Sequence, residues 1–544
     1  MKRRNQYSFI IMSALMVASL AGCQTGSSET REKSVAVSQD AEGENASGQT
    51  SSGSVDYTIL TKDDITVNES FENSADGEHA ITADGTEEEY SNIGVTKTGD
   101  SEGDEADFYG ENAAVFATNK ATLTIKDAVI ESNGAHANGV FSYSEGTTVN
   151  ISDSVIETTG NCSGGIMTTG GGTMNATNLT IHTTGNSSAA IRSDRGGGTV
   201  TVNGGSYTTD GTGSPVVYST ADITVNDSVM ESTASEGVVV EGKNSVTLNN
   251  CNLTADNNTL NSDKSDTYKA VMIYQSMSGD ADAGTASFTM EGGTLTNKNG
   301  DVFFVNNTAC EINLTGATII NEDEDGMFLR AAAAGWGNEG SNGGKVNLTA
   351  VKQTINGDIL VDDVSALNLY LTDGSTFTGA INSDGKTGDV YVELKDGSTW
   401  TLTADSYVSS LTCDESSINL NGFKLYVNGE EYKEGTASSG EAVEIVSENS
   451  GNGMQGERPD GPPDGNGGPG DGSTPPAKPD GNGSGDGNTP PTPPDGNGPS
   501  GDGSTPPTPP DGNGPSGDGS TPPTPPDGST PPAKPANNTN SSSN

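Results

Sequence analysis

The chain has 544 residues, of which 75 are acidic and 25 are Lys or Arg, so its formal net charge is −50. This charge excludes nucleic-acid binding, because phosphate contacts need clusters of Lys and Arg. Only 30% of the residues are hydrophobic, and all 25 prolines except Pro215 lie at or after Pro459. The sequence therefore divides into a nearly proline-free body and a separate tail.

The first residues predict export and a lipid anchor. Three basic residues at positions 2–4 precede an apolar run over residues 9–20, which is too short to span a bilayer and fits a secretory signal peptide. The run ends in Leu20-Ala21-Gly22-Cys23, which resembles the lipobox of bacterial lipoproteins. The resemblance implies a signal peptide over residues 1–22, lipidation of Cys23 and attachment to the cell membrane, facing the extracellular side. An ordinary secreted protein with a chance cysteine is the alternative.

Two segments of low apolar content flank the body. Residues 23–55 are mainly polar and small, which predicts a flexible tether. Residues 436–544 include the segment TPPTPPDGNGPSGDGS, which starts at Thr489 and again at Thr505. Pro pairs favour extended polyproline II, and Gly clusters restore flexibility. This Pro/Gly-rich tail is predicted to be disordered.

Between these segments the sequence repeats itself. Short apolar/polar alternations, which are typical of β-strands, are separated by the turn formers Asn, Asp, Gly and Ser. Two sets of apolar positions recur, mostly every 22 to 26 residues. The first set comprises Ile125, Ile151, Ala176, Val202, Val225, Leu248, Met290 and Leu314, and the second comprises Val115, Val140, Ile166, Ile191, Val216, Val238, Val271, Phe303 and Met327.

The repeat length indicates the fold class. Leucine-rich repeats need a Leu/Asn spacing that is missing here, and propeller blades need about 40 residues. The repeat suits one three-stranded coil of a parallel β-helix, in which equivalent positions stack about 4.8 Å apart. We therefore predict an all-β parallel β-helix over residues 56–435, with about twelve to fourteen coils and a length on the order of 60 Å.

The pattern TLTIKDAVI, from Thr122, and the pattern GGGTVTVNGGSY, from Gly196, also carry a family resemblance. They resemble pectin-lyase-like right-handed β-helix proteins, particularly bacterial surface proteins and adhesins. The resemblance covers the repeated body and implies right-handed coiling. It identifies architecture and not activity, because this fold hosts lyases, hydrolases and non-catalytic adhesins.

Two insertions interrupt the repeats. The first insertion, residues 255–285, and the second insertion, residues 331–344, are longer than turns require. Insertions in a solenoid often form its binding face, so these loops are expected to determine ligand specificity. Helical patterns are nearly absent after the signal peptide, and residues 329–334 are predicted to form one helical turn.

The four cysteines after Cys23 carry no recognisable site. They form no CxxC pair, and no His follows at zinc-finger distance. They are predicted to be small buried hydrophobic residues and not a disulfide framework: Cys162, Cys251, Cys310 and Cys413.

Candidate catalytic residues are scarce, which argues against an enzyme. The chain has three His and no HExxH, GxSxG or P-loop motif. Asp194 and Arg195 follow the apolar position Ile191 at a predicted strand end, and they are the best candidates for catalysis or anion binding. The alternative is a surface ion pair, which contributes little.

Aromatic and acidic residues supply further candidates. Trp336 lies in the second insertion and Trp400 near a turn. Exposed aromatic rings of this kind can stack on sugar rings, with Trp336 as the candidate, but packing into the core is the interpretation that the sequence favours for both. The acidic runs at residues 100–107 and 322–325 offer carboxylate oxygens that suit Ca²⁺. The same runs are typical of solvated loops, which is the interpretation that the sequence favours.

Together these features predict a non-catalytic, lipid-anchored surface protein. Its expected partners are the membrane, through the anchor, and an extracellular glycan or surface protein, bound along a rigid sheet face with help from the insertions. A polysaccharide lyase or hydrolase acting on acidic glycans, through Asp194 and Arg195, is the alternative. A passive spacer of the cell envelope is the third possibility.

Overall fold

A computed structural model of the protein describes residues 59–385 and 388–445. The predicted signal peptide, the lipidation site Cys23, the tether and the tail beyond residue 445 lie outside the described residues. Among the residues that are described, no helix is long and apolar enough to cross a membrane.

The described part consists almost wholly of short β-strands. One 3-10 turn, Lys62–Asp64, and one helix, α1 (Asp104–Tyr109), accompany them. The strands are β1 (Glu69–Asn73), β2 (Ile81–Asp84), β3 (Glu87–Lys97), β4 (Val115–Thr118), β5 (Thr122–Ser132), β6 (Val140–Tyr143), β7 (Thr148–Ser152), β8 (Val155–Thr158), β9 (Ile166–Thr169), β10 (Gly172–Thr183), β11 (Ile191–Ser193), β12 (Gly198–Thr209), β13 (Val217–Ser219), β14 (Asp222–Asn226), β15 (Val229–Ser232), β16 (Val238–Glu241), β17 (Ser245–Asn249), β18 (Asn252–Ala255), β19 (Lys269–Tyr274), β20 (Thr285–Glu291), β21 (Thr294–Asn297), β22 (Asp301–Asn306), β23 (Thr308–Thr315), β24 (Thr318–Asn321), β25 (Leu329–Ala331), β26 (Gly344–Val351), β27 (Thr354–Asn356), β28 (Ile359–Val361), β29 (Ala366–Thr372), β30 (Thr376–Thr378), β31 (Asp389–Leu394), β32 (Thr399–Thr401), β33 (Ser406–Val408), β34 (Ser410–Thr412), β35 (Ile418–Asn419), β36 (Leu425–Val427) and β37 (Glu430–Glu431).

These strands stack into a parallel β-helix, as predicted. Sheet I has eleven strands in the order β2-β4-β6-β9-β11-β13-β16-β19-β22-β25-β28, and sheet II has nineteen strands, β1 and β3 among them. Two smaller sheets, of four and three strands, complete the C-terminal coils. Within the described range every strand pairing is parallel except that of β36 with β37. In the coils up to β24, the chain passes from sheet I to a first side of sheet II, bends, and continues along a second side of sheet II. From β26 onward, the strand that follows the bend belongs instead to the four-stranded sheet of β27, β30, β32 and β35.

The bend of each coil is made at a left-handed residue. From β3 to β31 the bend position is Asn, Asp or Gly in every coil but one, and these residues tolerate the left-handed conformation best. The exception is Lys352. The bend residues are Asn92, Asp127, Asp153, Asn178, Gly204, Asp227, Asn250, Gly292, Gly316, Lys352, Asp373 and Asp396.

The strand register confirms the first predicted set of apolar positions. Each member, from Ile125 to Leu314, pairs with the next member in the adjacent coil. The second set is correct except at two positions, because Val217 and Leu329 take the places predicted for Val216 and Met327. Val216 and Val217 are adjacent and both apolar, so spacing alone does not distinguish them.

The prediction of a helical turn at residues 329–334 is wrong. Residues Leu329–Ala331 form strand β25, which pairs with β22 on one side and β28 on the other. The small alanines that suggest a helix are accommodated because the hydrogen bonds of neighbouring coils already fix this segment as a strand.

One corner of the N-terminal coils is held by stacked Ser and Gly residues. The amide of Ser163 donates to Oγ of Ser188 at 2.9 Å, and the amide of Ser188 donates to Oγ of Ser214 at 2.9 Å. Each serine hydroxyl also donates to a glycine carbonyl of a neighbouring coil, as Ser188 does to Gly160 at 3.1 Å. A Cβ placed on Gly185 would lie 1.8 Å from that same carbonyl oxygen of Gly160, so the corner requires glycine.

The cysteines follow the prediction with one exception. All four described cysteines are free thiols, and Cys251, Cys310 and Cys413 are buried. Cys162 is only half-buried, because it lies in a turn outside the apolar core.

Candidate functional site

The outer face of sheet I is unusual because much of it is buried. Inward residues of this sheet fill the core, while Val239, Met272 and Phe304 form a separate apolar cluster on the other face. Tyr218 and Tyr274 pack against the same cluster. A sheet face exposed to water normally carries polar side chains, so this apolar face needs a cover. The first insertion includes strand β19 of this sheet, and its residues before β19 lie over the face together with Trp336 of the second insertion.

Asp194 forms a buried ion pair on this face, with Arg192 and not with the adjacent Arg195. Its Oδ2 lies 3.0 Å from Nη2 of Arg192, and its Oδ1 accepts from the backbone amide of Arg195 at 2.9 Å. Asp194 is 6% exposed, so the surface ion pair considered from the sequence is not what the structure contains. Burial raises the pKa of Asp194 to about 6, against the opposing effect of Arg192.

Arg195 connects two other elements. Its Nε and Nη2 donate to Oδ1 of Asp280 in the first insertion, at 3.1 and 2.8 Å. Its guanidinium also lies 3.7 Å from the ring centroid of Phe108 in α1. Arg195 therefore holds the first insertion and α1 against the edge of sheet I.

A second polar group lies farther along the same face and was not identified from the sequence. The phenol groups of Tyr218 and Tyr274 both donate to Oε2 of Glu241, the latter at 2.9 Å. Glu241 is 1% exposed, and its Oε1 is buried with no hydrogen-bond partner among the described residues. Burial raises the pKa of Tyr218 and of Tyr274 well above the ordinary value, so both phenols remain donors at neutral pH.

The two insertions meet beside this group and close a cavity. The amide of Gly335 in the second insertion donates to the carbonyl of Lys264 in the first, at 2.7 Å. The cavity between them has a volume of about 90 Å³. Trp336 lines it, with its ring centroid 5.3 Å from that of Tyr274 in an edge-to-face arrangement.

Lys269 brings a positive charge to the cavity wall. It is 3% exposed, its Nζ donates to Oγ of Ser265 at 3.2 Å, and it lies 4.8 Å from the ring centroid of Phe304. Burial lowers the pKa of Lys269. The cavity thus combines aromatic rings, an ammonium group and the carboxylate of Glu236, which also lines it.

The two tryptophans have different environments. Trp400 is fully buried in the core, where it stacks on Phe377 at 5.5 Å and donates from Nε1 to the carbonyl of Gly379 at 2.9 Å. Core packing, which the sequence favours for both tryptophans, therefore describes Trp400. Trp336 instead belongs to the outer cluster of sheet I.

Several carboxylates of the two acidic runs are hydrogen-bonded to the protein itself. Asp100 accepts from the amide of Ala135, and Asp323 accepts from the amides of Gly300 and Asp325. Among the described side chains, a group of three lies close enough together to hold a metal ion. It consists of one Asp, one His and one Cys, and not of oxygen ligands alone. The calcium sites suggested by the runs stay a prediction, which the effect of EDTA and added calcium on the melting temperature would check.

The stacked parallel strands place this chain among the parallel β-helix proteins. Comparison with protein-family models, with curated proteins and with solved structures gives no match for it.

Proposed function

We propose that the protein binds an extracellular glycan at the cavity on the outer face of sheet I and does not cleave it. The observation that carries this proposal is the convergence of Tyr218, Tyr274 and Trp336 on a cavity formed by two insertions. Insertions of this kind in a solenoid commonly supply its binding loops.

The chemistry of the cavity suits a sugar. The apolar face of a pyranose packs on aromatic rings such as Trp336, while its hydroxyls need nearby donors and acceptors. Lys269 and Glu236 line the cavity and supply both kinds of group. Glu241 lies behind Tyr218 and Tyr274 and is not part of the cavity wall, and it accepts a hydrogen bond from each of the two phenols.

The size of the cavity limits what enters it. Its volume of about 90 Å³ is well below the range of roughly 300 to 1,000 Å³ that is typical of sites for whole small molecules. We therefore expect a chain end or a protruding sugar substituent to enter, while the rest of the glycan lies along the rigid outer surface of the coils.

The proposal includes a location for the protein. The lipobox-like sequence that ends at Cys23 supports attachment to the cell membrane through a lipid. Residues 23–55 would then be the tether, and the β-helix would face the outside of the cell. A multivalent contact with a glycan or a neighbouring surface would then occur outside the cell.

Hydrolysis or lyase chemistry is the second candidate, and one observation favours it. A buried carboxyl with a pKa of about 6, as in Asp194, suits a general acid at neutral pH. Both oxygens of this carboxyl are engaged by Arg192 and by the backbone of Arg195, which favours a structural role. If Asp194 were such an acid, the full-length protein would release sugar products from a polysaccharide and the Asp194→Asn variant would not.

Replacing Trp336 by Ala tests the binding proposal. We expect retention of the full-length protein in a polysaccharide affinity gel to weaken at least about tenfold, because the stacking surface is lost. Phe423→Ala is the matched control, since Phe423 is an exposed aromatic residue, 38% accessible, that does not line the cavity. Equal retention of both variants and the unmodified protein would contradict the proposal.

A further inference from the structure

A cluster of three potential metal ligands lies outside the cavity. Asp107 belongs to α1, whereas His136 and Cys162 belong to turns of successive coils. One ligand atom of each residue lies within 4.8 Å of those of the other two, and all three residues are half-buried. Nδ1 of His136 lies 2.6 Å from Oδ1 of Asp107.

The stacking of the coils brings His136 and Cys162 together. Both residues are left-handed, with φ of 54° and 56°, and they occupy the same turn position in their coils. The amide of His136 donates to the carbonyl of Asn161, and the amide of Cys162 donates to that of Asn186, each at 2.8 Å. Equivalent positions of adjacent coils lie about 4.8 Å apart, so the side chains emerge side by side.

We propose that Asp107, His136 and Cys162 bind a divalent transition metal, with Zn²⁺ as the best fit. A carboxylate oxygen, an imidazole nitrogen and a thiolate sulfur are the donors that zinc accepts in proteins. Calcium takes oxygen ligands only, so this set selects against it. Three protein ligands leave a fourth tetrahedral position for water or another group.

The thiol must lose its proton when a metal binds, because the thiolate is the form that ligates metals and also the form that acts as a nucleophile. Burial raises the pKa of the Cys162 thiol, so the case for the site rests on the geometry of the three side chains and not on the state of the thiol. The metal-free thiol is therefore protonated at neutral pH, and the binding ion displaces its proton to solvent. With Asp107 and the thiolate as anionic ligands, the charge of a divalent ion is balanced.

The bound ion would fix α1 to the coils. Without the ion, α1 is held by the ring of Phe108 over Arg195, by a bond from Oγ1 of Thr169 to the carbonyl of Phe108 at 2.6 Å, and by Tyr109 against Tyr143. Metal ligation at Asp107 would add a tie on the same helix. Zinc therefore stabilises the packing of α1 beside Arg195 at the edge of sheet I, independently of whether a glycan binds.

Zinc uptake by the full-length protein tests the site. After equilibration with Zn²⁺ and dialysis, elemental analysis is expected to find one equivalent more in the unmodified protein than in Asp107→Asn, His136→Ala or Cys162→Ser. The affinity of each variant should fall at least about a hundredfold. His182→Ala is the matched control, because His182 and Asp210 form a similar pair at 2.7 Å without a cysteine, and it should retain the equivalent.

Alkylation of Cys162 provides a readout that needs no variant. Zinc is expected to slow modification of the Cys162 peptide at least about tenfold, as followed by mass spectrometry, while the buried Cys251 stays unmodified with or without metal. No extra equivalent relative to the three variants, or equal alkylation of Cys162 with and without zinc, would overturn the proposal. Neither result bears on glycan retention, so the two proposals fail separately.

Discussion

Replacing Arg192 by Met is expected to lower the free energy of unfolding by about 3 to 5 kcal/mol at pH 7. Arg192 is the ion-pair partner of Asp194, and their side chains are only 12% and 8% exposed. Without the guanidinium, the carboxylate of Asp194 is left buried with no counter-charge, which is far more costly than losing an exposed pair. Equilibrium urea unfolding, followed by circular dichroism, measures the loss.

The pH dependence of this loss has a defined sign. Burial already raises the pKa of Asp194 to about 6, and removing Arg192 raises it further. A raised carboxyl pKa contributes stability that is present below the unfolded value near 3.9 and is lost as pH rises through the folded value. The loss caused by Arg192→Met should therefore be smaller at pH 5 than at pH 7.

A double variant supplies the control. Arg192→Met combined with Asp194→Asn removes both charges, and it should recover most of the lost stability, because neutral replacements of buried pairs are often nearly neutral in energy. If the single variant is as stable as the unmodified protein, or if the double variant is no better than the single one, the buried ion pair is not what holds this face.

Replacing Gly185 by Ala is expected to destabilise the N-terminal coils by about 3 kcal/mol. The added Cβ would lie 1.8 Å from the carbonyl oxygen of Gly160, a backbone atom that cannot rotate away. The neighbouring coils would have to separate, which would also break the bond from Ser188 to the same carbonyl. The urea midpoint of the variant measures the effect.

Gly292→Ala is the matched control for Gly185→Ala. Gly292 has a φ of 63°, but nothing lies within 4 Å of an added Cβ. Its substitution should cost about 1 kcal/mol, from the left-handed backbone alone. An equal cost for the two variants would mean that coil spacing at the Ser and Gly corner is not limited by direct contact.

The fold is predictable because the repeats are physical copies of one coil. Apolar positions such as Ile125 and Ile151 must stack, so their spacing in the sequence is enough to indicate a solenoid. The two misplaced positions, Val216 and Met327, show the limit of this reasoning. Each lies close to another apolar residue, and only the hydrogen bonds between coils decide which one pairs.

The candidate site is predictable only in part. Length and composition alone identify the two insertions as expected binding loops, and Trp336 as one of their aromatic residues. Their meeting at Gly335 and Lys264 depends on how loops from different coils fold back, which no local pattern encodes. The ion pair of Asp194 could have been assigned to Arg192 from strand geometry. On a strand, alternate residues share a face, so Arg192 was a better-placed partner than the adjacent Arg195.

The metal-ligand cluster shows why motif spacing failed. His136 and Cys162 are one coil apart in sequence, and a search for CxxC or zinc-finger spacing does not detect residues separated by a coil. Asp107 comes from a helix that interrupts the repeat pattern. A search at the repeat period would have found His136 and Cys162 as a pair, although not their contact with α1.

The most direct measurement is a polysaccharide panel with the full-length protein. Pectins, cellulose, xylan and mucin would be incubated with the protein, with and without calcium, and retention and soluble products would be measured together. We predict retention on at least one glycan without release of products. New unsaturated or reducing ends would contradict the binding proposal in favour of an enzyme, and the absence of retention on every glycan would contradict glycan binding itself.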